Sequence, residues 1–335
     1  MGERSFWHDR RVFVTGATGV LGSWLVDECL RKSASVVALI RDWVPDSLLV
    51  TSGNHRRISR VAGCLEDYDV VERALNEYEI DTVFHLGAQP IVPVANRSPR
   101  ATFEANIKGT WNVLEACRQV RCVSRAVVAS SDKAYGTSPT LPYTEDTPLR
   151  GEHPYDVSKS CSDLLARSYS TTYHLPVTVT RCGNIYGPGD LNFNRLVPGT
   201  IRSVLAGESP VIRSDGTYTR DYIYVRDAAF ACLRVAENMG RSDVRGQAFN
   251  FSNEKPVSVL ALVKTIIGMM GASLQPTILN DSEGEIRHQY LSSAKARDVL
   301  GWQPTYSLEE GLRDTIEWYR DLLAKGGGLA AGGQP

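Results

Sequence analysis

A chain of 335 residues with 42% hydrophobic content can build one large or two interlocked domains around a sizeable core. Its formal net charge of −1 and pI of about 6.6 exclude a strongly basic nucleic-acid surface and point to no membrane face. The apolar runs fall short of the roughly 20 residues of a membrane helix, no export signal is expected, and seven scattered cysteines without a C-x-x-C pair suit reduced thiols in the cytoplasm rather than disulfides or a metal site.

Residues 11–15 read as a buried strand. They run into Gly16-Ala17-Thr18-Gly19-Val20-Leu21-Gly22 and then into a helix predicted over 20–32. Glycines at this spacing between strand and helix permit a tight turn and let a dinucleotide pyrophosphate approach the backbone N–H groups. The positive end of the helix then faces the phosphates. Gly16, Thr18, Gly19, Val20, Leu21 and Gly22 are therefore candidate cofactor contacts. The second strand, 35–40, ends at Arg41 and Asp42. Asp42 follows Gly22 by twenty residues, as an acid bonding an adenosine ribose would, while Arg41 would suit a 2′-phosphate. NAD is the expected cofactor, with NADP as the alternative.

Further strands are predicted at 82–87, 125–130 and 176–181, and helices at 67–78, 100–119 and 155–174. This alternation predicts an α/β fold, a Rossmann-type doubly wound parallel sheet. Ligands bind such a sheet beyond the carboxyl ends of its strands, where Gly87, Ser130 and Arg181 fall. After residue 186 loops interrupt the pattern, with helices predicted at 195–206, 226–238, 256–270, 293–299 and 307–324. The expected division is a dinucleotide-binding domain over 9–186, with 221–252 returning to it. A smaller C-terminal α/β substrate lobe would then comprise 187–220 and 253–325, followed by a glycine-rich disordered tail at 326–335.

The chemistry concentrates in Ser130-Ser131-Asp132-Lys133 and in Tyr155 and Lys159, which share one helix face at i and i+4. A phenol with a pKa of about 10 is a poor base at neutral pH. A neighbouring ammonium would favour the phenolate, which suits removal of a hydroxyl proton while hydride leaves the same carbon. Asp132 and Lys133 are more than a plain alcohol dehydrogenase needs, unless they form only a surface ion pair. His85 reads as a packed core histidine and Tyr222 and Tyr224 as core residues, while Asn106 either packs its helix or touches the site.

Taken together the motifs resemble the extended short-chain dehydrogenase/reductase family, and within it the nucleotide-sugar 4,6-dehydratases. The likeness rests on Gly16…Gly22, His85-Leu86-Gly87-Ala88-Gln89, Asn106…Thr110, Ser130…Lys133, Tyr155…Lys159, Arg181-Cys-Gly-Asn184, Arg220-Asp-Tyr and Leu300-Gly-Trp-Gln-Pro304. Asp followed by Lys, the Gln at 89, and Arg181…Asp190 before Arg195-Leu-Val-Pro198 are most similar to CDP-glucose 4,6-dehydratases, with GDP-mannose 4,6-dehydratases next.

The resemblance implies that Tyr155 takes the O4 proton of a nucleoside-diphosphate hexose as C4 is oxidised. Lys159 would hold the phenolate and the nicotinamide ribose, and Ser131 or Ser130 the same oxygen. Asp132 would protonate the departing C6 hydroxyl, and Lys133 stands where other dehydratases carry a glutamate base for C5. Burial would raise the Asp132 pKa and Lys133 would lower it, and the sequence leaves that contest open. Leu86, Gly87 and Ala88 are implied cofactor contacts, and Gln89, Ser130, Asn184, Arg195 and Arg220 implied substrate contacts. A homodimer is expected through the helices at 100–119 and 155–174, with Trp111, Val113, Leu164, Leu165 and Tyr169 on a second apolar face. Three positions depart from the pattern: the Arg220-Asp-Tyr segment has the general family form, Cys64 stands where an Asp is usual, and Ser282 where many relatives carry an Arg. A nucleotide-sugar 4-epimerase and a non-catalytic cofactor-binding regulator are the alternatives.

Overall fold

The computed structural model describes residues 5–281 and 285–325. Ser282 and the tail 326–335 lie outside the described residues. Six strands, β1 (Arg11–Thr15), β2 (Ser35–Ile40), β3 (Ser59–Ala62), β4 (Thr82–His85), β5 (Arg125–Ala129) and β6 (Val177–Cys182), join Ala248–Phe251 in one sheet. All pairs are parallel, in the order 248–251, β6, β5, β4, β1, β2, β3. The order reverses between β1 and β4, so their carboxyl ends open a crevice where Thr15 pairs with His85.

Successive side chains of β1 serve opposite layers. Val12 and Val14 pack with the helices Val20–Arg31 and Val225–Glu237, while Phe13 packs with Tyr68–Glu77 and Gly109–Gln119. This two-sided burial gives the continuous apolar runs of a parallel sheet. It makes the fold a Rossmann-like doubly wound α/β structure.

Two differences from the sequence reading have physical causes. The edge strand β3 was not predicted, because only Val61 of its four residues is buried. The helix expected over 100–119 is three pieces: Pro99–Phe103, a π turn at Glu104–Lys108, and Gly109–Gln119. The turn directs Asn106 inward, where it is 1% exposed. Val113, expected on a second apolar face, is instead buried in the layer beneath the sheet. Leu165 and Tyr169 pack partly against the same layer, while Trp111 and Leu164 face outward.

Beyond β6, Asn184–Tyr186 pairs with Tyr222–Tyr224, and Thr219–Arg220 lies between Val257–Ser258 and His288–Gln289. The helices Leu196–Leu205 and Val259–Met269 enclose a small core of Val204, Ile212, Val263 and Ile267.

Candidate active site

At the carboxyl end of β1 the chain turns through Gly16, whose φ of +72° lies in the left-handed region. A Cβ there would lie 2.8 Å from Gly87 Cα, and one on Gly22 would lie 2.1 Å from Gly16 O. Only glycine allows the loop to close on both β4 and its own helix. The helix Val20–Arg31 begins at Gly19 with no side-chain cap, so its first N–H groups are left for a ligand. Gly16, Thr18, Gly19, Val20, Leu21 and Gly22 line one cleft of about 970 Å³. This cradle fits a dinucleotide pyrophosphate. Arg41 and Asp42 line the same cleft and bond each other, Nε to Oδ2 at 2.6 Å.

Leu86, Gly87 and Ala88 form the wall at the end of β4. Thr15 Oγ1 accepts from the backbone N–H groups of Leu86 at 3.1 Å and Gly87 at 3.0 Å, which ends the strand at His85. His85 is a packed residue between the hydroxyls of Thr15 at 2.9 Å and Thr110 at 3.0 Å. Burial, and then the Lys159 charge, push its pKa down to about 3, so the ring is neutral. Asn106 is a clasp rather than a cleft contact. Its Oδ1 accepts from Gln89 N at 2.6 Å and its Nδ2 donates to Ser158 Oγ at 2.9 Å.

Ser130, Ser131, Lys133, Tyr155 and Lys159 meet at the centre of the cleft. Pro154 starts the helix Pro154–Tyr173 that carries Tyr155 and Lys159. Lys159 Nζ donates to Ala129 O at 2.8 Å and stands 6.0 Å from the Tyr155 ring centre. Here the expected effect of Lys159 on the phenol is not what is found. Burial pushes Tyr155 up to about 12, opposed by the Arg195 charge and the Ser131 hydroxyl, while burial brings Lys159 down to about 8.

The contest over Asp132 goes to burial, which raises its carboxyl pKa despite Lys133, Ser131 and Arg220. Lys133 moves the other way: burial and then the Arg220 charge lower its pKa, against Asp132, Asp156 and Glu285. An acid whose pKa is raised thus adjoins an amine whose pKa is lowered. Asp132 stands behind the wall, 2% exposed and not lining the cleft. Ser131 Oγ, which does line it, donates to Asp132 Oδ1 at 3.0 Å, and Oδ2 has no partner among the described residues.

Asn184, Arg195 and Arg220 line the far end. Asp190 Oδ2 holds Arg195 at 2.9 Å, and Arg220 donates to Thr219 O, Arg287 O and Glu285. Gln89 does not reach the cleft, because its Oε1 turns back to Ile91 N at 3.1 Å. Three residues of this region escaped the sequence reading. Asp156 lines the cleft beside Tyr155, and Tyr222, expected in the core, lines it too. Gln289 accepts from Lys133 Nζ at 2.6 Å. Adjacency to Tyr155 was the one signal for Asp156, and nothing in the sequence marks Gln289.

The model of the NAD dependent epimerase/dehydratase family matches residues 12–251. The chain belongs to that family. Its relatives include a UDP-glucose 4-epimerase of Mycolicibacterium smegmatis, 31% identical over 93% of this chain and 99% of the relative. A CDP-glucose 4,6-dehydratase of Salmonella typhimurium is 29% identical over 95% and 92%. Among solved structures, the dTDP-glucose 4,6-dehydratase DesIV of Streptomyces venezuelae, with NAD bound, superposes at a TM-score of 0.85, with 27% identity over 94% of this chain and 98% of that one. NAD is the cofactor of this family, in keeping with the glycine cradle. Among the described residues no helix is long and apolar enough to cross a membrane.

Proposed function

We propose that the protein is a nucleotide-sugar 4,6-dehydratase, converting an NDP-hexose of the CDP-glucose or GDP-mannose type to the NDP-4-keto-6-deoxyhexose and water. The observation that carries this reading is the Asp132–Lys133 couple, a buried acid of raised pKa beside an amine of lowered pKa, next to Tyr155. NAD, when bound, would supply a carrier that takes hydride from C4 and returns it to C6. Tyr155 accepts the O4 proton, helped by the Arg195 charge and the Ser131 hydroxyl. Lys159 orients the ribose side of the cofactor. Lys133, as a neutral amine, removes the C5 proton made acidic by the 4-ketone. With its proton on Oδ1 and the Ser131 hydroxyl turned to the cleft, Asp132 passes that proton through Ser131 to the C6 hydroxyl, which leaves as water, and Lys133 then returns its proton to C5. Asn184, Arg195 and Arg220 suit the diphosphate and sugar, the arginines through their forked donors.

In this reading residues 9–186 and 221–252 hold the cofactor, and 187–220 and 253–325 hold the nucleotide sugar. The outward Trp111 and Leu164 support a homodimer, and seven unbridged cysteines support a reducing cytoplasm. A 4-epimerase, the second reading, is favoured by the 31% identical epimerase relative, and it would leave Asp132 and Lys133 without a task. Incubation with CDP-glucose, GDP-mannose, dTDP-glucose and UDP-glucose, read by mass spectrometry, tests the proposal. Loss of one water supports it, and an isomer of unchanged mass overturns it in favour of the epimerase.

A further inference from the structure

Gln289 is fully buried on the two-residue strand His288–Gln289, which pairs with Thr219–Arg220. It lies 156 residues from Lys133 in the sequence, yet its Oε1 accepts from Lys133 Nζ at 2.6 Å. We propose that Gln289 is the positioning residue for Lys133, its neutral amide oxygen aiming the amine into the cleft without adding charge beside it. What that amine does there rests on the dehydratase reading; the contact itself does not.

The choice of an amide matters because of the charges around Nζ. Arg220, from the neighbouring strand, disfavours the ammonium. Asp132 from its own turn, Asp156 from the catalytic helix and Glu285 from the segment before the strand favour it. Burial, the largest of these influences, shifts the balance toward the neutral amine. A carboxylate at 289 would sit in direct contact with Nζ in a poorly solvated place and would favour the ammonium. A neutral acceptor instead fixes one N–H and leaves the lone pair free to take a proton from carbon. Gln289 Nε2 is buried with no partner among the described residues. An orphan donor of this kind is destabilising, so the side chain is poorly explained as packing alone.

The test uses the full-length protein with NAD and the variants Gln289→Glu and Gln289→Met. Competitive acetylation of Lys133 across about pH 6 to 11, read by peptide mass spectrometry, reports its titration without requiring turnover. In Gln289→Glu the midpoint should rise by about one pH unit or more, and the acid limb of kcat should move with it. In Gln289→Met the midpoint should stay low, while kcat for water loss falls about 10- to 100-fold at unchanged KM and NAD affinity. An unmoved midpoint in Gln289→Glu, or wild-type kcat in Gln289→Met, overturns the assignment. Should Gln289→Glu fail to bind NAD, Gln289→Asn, which withdraws the amide by one methylene, must show the same loss of kcat or the proposal falls. A midpoint shift in a protein that dehydrates no sugar would uphold the Gln289 contact and sink the dehydratase reading, so the two failures are distinguishable.

Discussion

Arg181 and Asp163 face each other through two parallel hydrogen bonds, Nε to Oδ2 at 2.7 Å and Nη2 to Oδ1 at 2.8 Å. Arg181 stands on β6 and Asp163 on the helix Pro154–Tyr173, so the pair locks the helix bearing Tyr155 and Lys159 onto the sheet. A third arm, Nη1, donates to the Tyr135 hydroxyl at 2.7 Å, which donates in turn to Asn250 Oδ1 at 2.7 Å. The helix Pro154–Tyr173, β6 and the edge strand Ala248–Phe251 are thereby held by one buried polar network.

Asp163→Ala would leave the Arg181 guanidinium buried without its carboxylate. Removing one partner of such a pair costs about 3–5 kcal/mol, so urea unfolding should show a loss of that size and turnover should fall with it. A loss below about 1 kcal/mol, the range of surface pairs, would show that the helix is fixed by its apolar contacts instead.

Asp132→Asn keeps the shape beside Ser131 but removes the proton. Water loss should slow by roughly 10²- to 10⁴-fold, the usual scale for a general acid, while oxidation at C4 proceeds and nicotinamide absorbance rises. Ser131→Ala should slow water loss as well, since Ser131 stands between Asp132 and the cleft. Rapid-quench mass spectrometry beside absorbance checks both variants, and unchanged water loss in Asp132→Asn would remove the acid.

Asp42→Ala should reduce NAD affinity roughly 10- to 100-fold, as loss of a charge-assisted hydrogen bond of roughly 1.5–3 kcal/mol would. NADP affinity should fall less, because Arg41 is released from its 2.6 Å bond to Asp42. Titration calorimetry with both dinucleotides measures the ratio, and a larger loss for NADP would reverse the roles of the two residues.

Asp221 ties stability to acidity. Burial raises its carboxyl pKa from 3.8 to about 6, against the Ser252 hydroxyl and the Leu291 amide. Between these values the folded chain holds a proton that the unfolded chain has released. This group's contribution is therefore fully present below about pH 4 and is lost as pH rises towards 6. Asp221→Asn should flatten that part of the profile, read as urea midpoints at pH 4, 5 and 6. An identical slope in both proteins would place the titration elsewhere.

Trp111 and Leu164 are 43% and 53% exposed on neighbouring helices. Trp111→Glu with Leu164→Glu should convert a dimer to a monomer in light scattering at micromolar concentration, with little change in folding. A wild-type monomer would refute the interface outright.

The strand, glycine loop and helix at residues 11–31 were legible because sterics dictate them: no other residue fits at Gly16 or Gly22. The Tyr155–Lys159 pair was legible for the same local reason, helical spacing. What stayed hidden depends on distant parts of the chain. β3 is an edge strand with one buried side chain, and it lacks the apolar run of a central strand. Gln289 is placed by pairing with Thr219–Arg220, a contact no local pattern encodes. Gln89 carried a plausible motif but turns away, and the sign of the Asp132 shift needed its burial to be known.

The π turn at Glu104–Lys108 holds one residue more than the regular spiral would need. Each residue of an α-helix turns the chain by about 100°. Drawing the same residues into a regular α-helix would swing the whole following helix Gly109–Gln119 by about that angle, carrying Trp111 to an inward position and Thr110 to its outward one. It would also break the Asn106 clasp on Gln89 and Ser158. The outward face of the molecule and the floor beneath the helix Pro154–Tyr173 are thus phased by the same extra residue. Deleting that residue would keep the outward face in phase and lose the inward turn of Asn106, whereas point substitutions on the exposed face leave both in place.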